Sequence, residues 1–444
     1  MRSATARAAT AAIAAAMFLT ACGGGNDGGG GGDTGTSGGD GSLEADLKMV
    51  ESLTNPARTQ LLRGLLDEFE DENPGVSVEL ISPPTEQADQ TLQQMLQSGS
   101  GVDVLEVRDI TVGPFGNNGW LHDMTDELDG WDGWEAMTDN AVENSTQGAN
   151  GETFYIPYGF YGLSLFYRAD LIADAGFDAP PHSWDELVEQ ANAIQNPAEN
   201  RYGYAFRGGQ NGTFQLAAAI EAYVGTDLDP ENSYLTTSGE TIFSTPQAQE
   251  AADMYLTLFE EGSPPSSVAW GYPEMVEGFT NGSTAFLLQD PEVIATVSES
   301  SLEEDQWDVT PLPVGASGHA AQPVATAGWG VASSSDHTEA AVALVQFLSG
   351  EASTTFAKEN SMVPIRTEAN EDPFYSSGPW EAYMTMTQDP DTYLNVHEPR
   401  GVQWWTEWNQ KADNELQSLL LGEMTTEELL QSWDEYWTEK LADE

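Results

Sequence analysis

Two carboxylates, Glu51 and Asp109, each stand just beyond an apolar run, 47–50 and 102–107, that reads as a strand. In open sheets built of alternating strands and helices, ligands bind outside the carboxyl ends of the strands, so both are candidates for ligand contact. In so acidic a chain each is equally suited to cap a helix or to face solvent. Carboxylates in a cleft can accept paired hydrogen bonds from vicinal hydroxyls, and a pair about 5–9.5 Å apart could instead hydrolyse a glycosidic bond. The five histidines, at 122, 182, 319, 337 and 397, show no ligand spacing, and the single cysteine, Cys22, excludes an internal disulfide and a cysteine-based metal site. No metal or cofactor is expected. The loop Arg207-Gly208-Gly209-Gln210-Asn211-Gly212 is rich enough in glycine to cradle a phosphate, but it lacks the Lys-Ser/Thr ending of a P-loop and the spacing of a dinucleotide fingerprint.

The elements that must position these residues follow from periodicity. Leu61, Leu62, Leu65, Leu66 and Phe69 form a helical stripe behind an Asn55-Pro56 start, and Asn73-Pro74-Gly75 stops it. Val76, Val78 and Leu80 alternate as a strand, Leu92, Met95 and Leu96 mark a second helix, and 102–107 is a third strand. Such β-α-β-α-β order implies a parallel sheet covered by helices. The stretch 157–171, Pro-Tyr-Gly-Phe-Tyr-Gly-Leu-Ser-Leu-Phe-Tyr-Arg-Ala-Asp-Leu, reads as a segment that leaves one folded unit and opens another, with Tyr161 toward the cleft and Phe166 and Tyr167 in the second sheet. Further strands are expected at 202–206, 282–288, 309–314 and 328–331. Ser183 with Glu186, and Thr425 with Glu428, are capping pairs; Leu429, Leu430, Trp433 and Trp437 are expected to pack.

The 444 residues suffice for two domains, and the chain carries 73 acidic against 14 basic residues, a formal net charge of -59. Self-repulsion of that size is screened within ~3 Å at 1 M salt, so a saline habitat is the natural inference. Nucleic-acid binding is disfavoured because no basic stripe is present. Arg2 and Arg7, an apolar stretch 8–19 and Leu19-Thr20-Ala21-Cys22 form a signal segment too short to span a bilayer, with a lipobox that would make Cys22 the lipidated first residue of the mature chain. A glycine-rich linker, 23–42, separates that anchor from folded sequence.

Four stretches, in order, resemble the carbohydrate-type extracellular solute-binding proteins of ABC importers. They are the lipobox with its linker; Leu65-Leu66-Asp67-Glu68-Phe69 through Asn73-Pro74-Gly75-Val76-Ser77-Val78; 157–171; and Gly328-Trp329-Gly330-Val331 with Phe347-Leu348 and 422–430. The resemblance implies an α/β, two-lobe periplasmic-binding-protein fold, each lobe a mostly parallel sheet flanked by helices, closing on a sugar between them. Its expected layout is 1–21 signal, 22–42 anchor and linker, 43–156 plus 283–325 lobe 1, and 157–282 plus 326–444 lobe 2. Carried over by position, the ligand carboxylates are Glu51, Asp109 and Asp290, the aromatic platforms Tyr161, Trp270, Tyr272, Trp329 and Trp404, and the donors Arg207, Asn211 and Gln403. Tyr161-Gly162, Phe206-Arg207-Gly208 and Gly401-Val402-Gln403 are most similar to members that take sugar alcohols or small sugars, although the Trp329 region is shorter here. The implied protein is a monomer on the outer face of the cytoplasmic membrane that hands its carbohydrate, an oligosaccharide, small sugar or sugar alcohol, to a permease. A secreted glycoside hydrolase is the alternative.

Overall fold

The computed structural model describes residues 43–443 apart from 55, 100, 147–150, 324, 401 and 403; Cys22, the linker, the Asn55 start, Gly401 and the Gln403 donor lie outside them. β1 (Ala45–Val50), β2 (Val76–Ile81) and β3 (Val104–Arg108) pair in parallel, joined by the helices Pro56–Glu72 and Thr85–Ser98. The expected stripe holds: Leu62, Leu65, Leu66 and Phe69 are buried, and Phe69 meets Phe347 of the helix Thr338–Ser349 at 5.4 Å between ring centres. Each such buried side chain contributes about 1.5–3 kcal/mol.

β4 (Ile156–Tyr161) completes the first body, and after only Gly162 and Leu163, β5 (Ser164–Arg168) enters a second. The remaining strands are β6 (Tyr202–Tyr204), β7 (Leu228–Asp229), β8 (Asn232–Thr236), β9 (Thr284–Gln289), β10 (Trp307–Thr310), β11 (Ala320–Pro323), β12 (Ala325–Val331) and β13 (Tyr393–Val396). The first sheet has the order β2-β1-β3-β12-β4 and the second β10-β5-β9-β6, with β7-β8 and β11-β13 as small pairs. This is the two-lobe α/β architecture expected, and the 157–171 stretch is a crossing between its sheets. Strand directions are more mixed than β-α-β order implies, because β12 lies antiparallel to both β3 and β4, and β5 antiparallel to both β9 and β10.

Pairing also divides the chain differently from the expected layout. The segment 283–325, assigned to the first lobe, contributes β9 and β10 to the second sheet, while 326–331, assigned to the second, lies in the first. β9 is buried at all six positions between β5 and β6, and β12 occupies the gap between β3 and β4. Each strand satisfies its backbone groups on both sides there, and nothing in its own residues names the sheet that offers those edges. Gly328 is required by this insertion: a Cβ would stand 2.0 Å from the Ile156 carbonyl oxygen, at an irregularity in the β12–β4 register.

The caps form as read. Ser183 accepts from the Glu186 amide at 3.2 Å, with Glu186 itself bonding the His182 amide, and Thr425 accepts from the Glu428 amide while donating its own N–H to Glu428. Leu429, Leu430, Trp433 and Trp437 are buried.

Candidate ligand cavity

A cavity of about 380 Å³ opens beside the crossing, within the range typical of small-molecule sites. Its wall is assembled from separate strand and helix ends. Ile110 follows β3, Tyr161 closes β4 and Asp290 follows β9; Arg207, Asn211 and Phe214 come from the glycine-rich loop and the helix Thr213–Val224 behind it. The last side is Glu398, Arg400, Trp405 and Asn409, at the entry to the helix Trp405–Leu420.

Arg400 organises one wall. Its Nε donates to Glu398 at 2.7 Å, Nη1 stands 3.7 Å from an Asp109 carboxylate oxygen, and the guanidinium lies 5.2 Å from the centre of the Phe214 ring. Burial opposes the charge, but Glu398 and Asp109 outweigh it and raise the Arg400 pKa. Asp109 thus reaches the cavity through Arg400, and its own pKa is raised by burial against the pull of that cation. Asp290 is pushed up to about 7, chiefly by burial and then by Glu292, with Arg400 and Arg207 drawing it back only in part. Burial lowers Arg207, whose Nε donates to the Gln210 carbonyl at 2.9 Å, and raises Tyr161 to about 12. The cavity therefore presents carboxylate acceptors, guanidinium and amide donors and the rings of Tyr161, Phe214 and Trp405. That combination suits a small polyhydroxylated molecule with an apolar face.

Of the expected site residues, Tyr161, Arg207, Asn211 and Asp290 line this cavity and Asp109 adjoins it. Others lie elsewhere. Glu51 is fully buried and accepts from Arg58 at 2.9 Å and from Thr59 at 2.6 Å. Arg58, itself 4% exposed, also bonds Glu106, which holds Tyr158 and the Ser52 and Leu53 amides. Two carboxylates compensate one buried guanidinium there, and Glu51 does not line the cavity. Trp329 is 1% exposed, packed on Tyr158 at 5.0 Å and Phe356 at 5.9 Å; its flanking glycines serve strand insertion, not ligand access. Trp404 packs on Trp437 at 4.4 Å and Tyr436 at 5.7 Å, leaving Trp405 on the cavity. Trp270 borders a separate groove with Tyr202, Glu274 and Asn281, lying over Gly278. Tyr272 stands beside Glu292 and Asp290 without lining the cavity.

The lining residues missed are Ile110, Thr213, Phe214, Tyr234, Glu398, Arg400, Trp405 and Asn409. Pro399-Arg400 opening a helical region was visible; in a chain with 14 basic residues, an arginine at such a junction was the available signal. Among the described residues no group of three or more His, Cys, Asp or Glu could hold a metal ion, and no helix is long and apolar enough to cross a membrane.

Two α/β lobes joined at a short crossing define the two-lobe periplasmic-binding-protein fold. Residues 54–355 match the model of the bacterial extracellular solute-binding proteins, and the chain belongs to that family. A binding protein of Brucella abortus is 24% identical over 371 residues, 80% of this chain and 83% of its own length. The erythritol/L-threitol-binding protein of Mycolicibacterium smegmatis is 23% identical over 390 residues, covering 81% of this chain and 79% of its own. Among solved structures, the sugar-binding protein MalE of Xanthomonas citri superposes with a TM-score of 0.74 at 20% identity, over 90% of this chain and 98% of that one.

Proposed function

We propose that the chain captures a sugar or sugar alcohol in the cavity at the lobe crossing and delivers it to the permease of an ABC importer. The observation that carries this reading is the meeting of Tyr161, Phe214 and Trp405 with Asp290, Arg207, Arg400 and Asn211 around about 380 Å³. Rings cover C–H faces, while charged groups make hydrogen bonds roughly twice as strong as neutral ones to the hydroxyls. The erythritol/L-threitol-binding relative and the sugar-binding MalE support the ligand class. Asp109 and Gln403 are proposed as further contacts, Asp109 taking a ligand hydroxyl or Arg400 by turns. The lobes are proposed to follow the sheets and to close about the Gly162-Leu163 crossing, ligand stabilising the closed form by touching both. Closed, the protein would dock as a monomer on its permease, tethered by lipid on Cys22 at the outer face of the membrane.

No reaction on the ligand is required. Thermal melts in high salt with a panel of neutral sugars and polyols test the reading, since a ligand that binds only the native state raises the melting temperature. A shift with intact ligand recovered is expected, and Arg400→Gln or Trp405→Ala should remove it. Absence of any shift across the panel, or accumulation of product, overturns it.

A further inference from the structure

Glu221 stands on the helix Thr213–Val224, seven positions after Phe214, so the two share a face about 10 Å apart along the axis. Phe214 lines the cavity; every other residue of the helix is buried. Its two long polar side chains fare differently. Gln215 accepts from the Tyr204 hydroxyl at 3.0 Å and donates to the Leu288 carbonyl at 2.9 Å. Glu221 is fully buried, and neither of its carboxyl oxygens has a hydrogen-bond partner among the described residues. The Ser233 hydroxyl beside it is buried and without a bond of ordinary geometry too.

A buried carboxylate is costly unless it is paired and hydrogen-bonded. The cation that acts on Glu221 is Arg400, and Arg400 is already committed. It donates to Glu398 through Nε at 2.7 Å and through Nη2, and its Nη1 stands 3.7 Å from Asp109. Three carboxylates around one guanidinium leave one without compensation, and Glu221 is the one that no donor holds. Burial first, and then the Glu398 charge, push its carboxyl well above the usual carboxylate range, against the weaker pull of Ser233 and Arg400. Glu398 is held from two sides, since its Oε1 also accepts from the Tyr234 hydroxyl at 3.3 Å. The Ser233 amide, next along β8, donates to the His397 carbonyl at 2.9 Å and so fixes the strand to the Glu398 segment; burial keeps the His397 ring neutral, its pKa lowered to about 4. The other elements packed on this helix leave Glu221 alone. Pro246–Gly262 presents Tyr255 to Gln215, Trp405–Leu420 presents Asp413 to Thr213, Asp227 of the turn after the helix is exposed, and β11 and the turn Ile242–Ser244 carry no ionisable side chain.

We infer that Glu221 is a positioning residue that carries a proton in the working protein: by staying neutral it lets Glu398 hold Arg400 in the cavity wall, and when it gives that proton to water the wall and the ligand affinity it supports are lost. Two like charges side by side in a buried place would pull Arg400 back from the cavity and push Glu398 from its seat. The proton follows from the packing; its effect on affinity rests on the carbohydrate reading above.

The test compares the full native chain with Glu221→Gln, which keeps the shape of the neutral acid and cannot ionise. Calorimetric titrations with glucose, mannose, xylose, erythritol and mannitol are run from pH 6 to 10 in high salt. For the probe that binds, native affinity should fall at least tenfold further over that range than the affinity of the variant; the Asp290 titration is common to both and cancels. Superimposable profiles overturn the inference and leave the carbohydrate reading intact. Melts without ligand supply the second readout. A carboxyl whose folded pKa is raised contributes stability that is fully present below its unfolded value and lost as pH climbs, so the variant should melt at least as high as the native chain at pH 8. A variant that melts well below it, or fails to fold, means that the charge and not the proton is needed there, and overturns the inference. A chain that binds none of the probes overturns the carbohydrate reading and the effect on affinity with it, and the melts then decide the proton by themselves.

Discussion

Replacing Glu51 by Ala separates a structural carboxylate from a ligand carboxylate. Glu51 holds Arg58 at 2.9 Å; the guanidinium is 4% exposed, shares Glu106 at 2.5 Å and lies 5.1–5.9 Å from the ring centres of Phe356, Tyr158 and Trp329. Removing one partner of a buried ion pair typically costs 3–5 kcal/mol, because the remaining charge is left without compensation. Glu106 stays in place, so the low end, about 3 kcal/mol, applies. For a folded body of this size the unfolding entropy is about 0.8 kcal/mol per kelvin, and the melting temperature should fall by roughly 4 °C. Ligand-induced stabilisation should survive, since Glu51 does not line the cavity. The assay is a pair of melts, with and without saturating ligand, at one salt concentration. An unchanged apo melt together with a lost ligand shift would refute the reasoning and return Glu51 to the ligand.

Trp329→Ala should open a core void and cost about 3–5 kcal/mol, whereas Trp405→Ala should leave the apo melt within a few degrees and abolish ligand binding; parallel melts and calorimetry distinguish the two. Asp290 has a folded pKa raised to about 7, so its contribution to stability is fully present below the ordinary carboxylate range and is lost as pH climbs toward 7. Asp290→Asn should remove that part of the decline between pH 4 and 8, and superimposable stability profiles for the two proteins would contradict the raised pKa. With a net charge of -59, the melting temperature should rise by several degrees between 0.1 and 1 M sodium chloride as the screening length falls from about 10 to 3 Å; a flat salt response would count against self-repulsion as a significant cost.

By itself the sequence determined what depends on neighbours along the chain. The first β-α-β-α-β run, the capping pairs Ser183–Glu186 and Thr425–Glu428, the packing stripe ending at Trp437 and the short crossing after Tyr161 all follow from side-chain period and turn chemistry within a dozen residues. Tertiary structure decided which distant segments meet. β12 enters the first sheet from more than 200 residues beyond β3 because that sheet has open edges between β3 and β4, a fact no local pattern records. A glutamate beyond a strand looks the same whether it faces a ligand or an arginine seven positions on, so Glu51 and Asp109 were indistinguishable until Arg58 and Arg400 took their places. Trp404 and Trp405 are neighbours where a helix begins, and only the packing of Trp437 against the first leaves the second for the cavity.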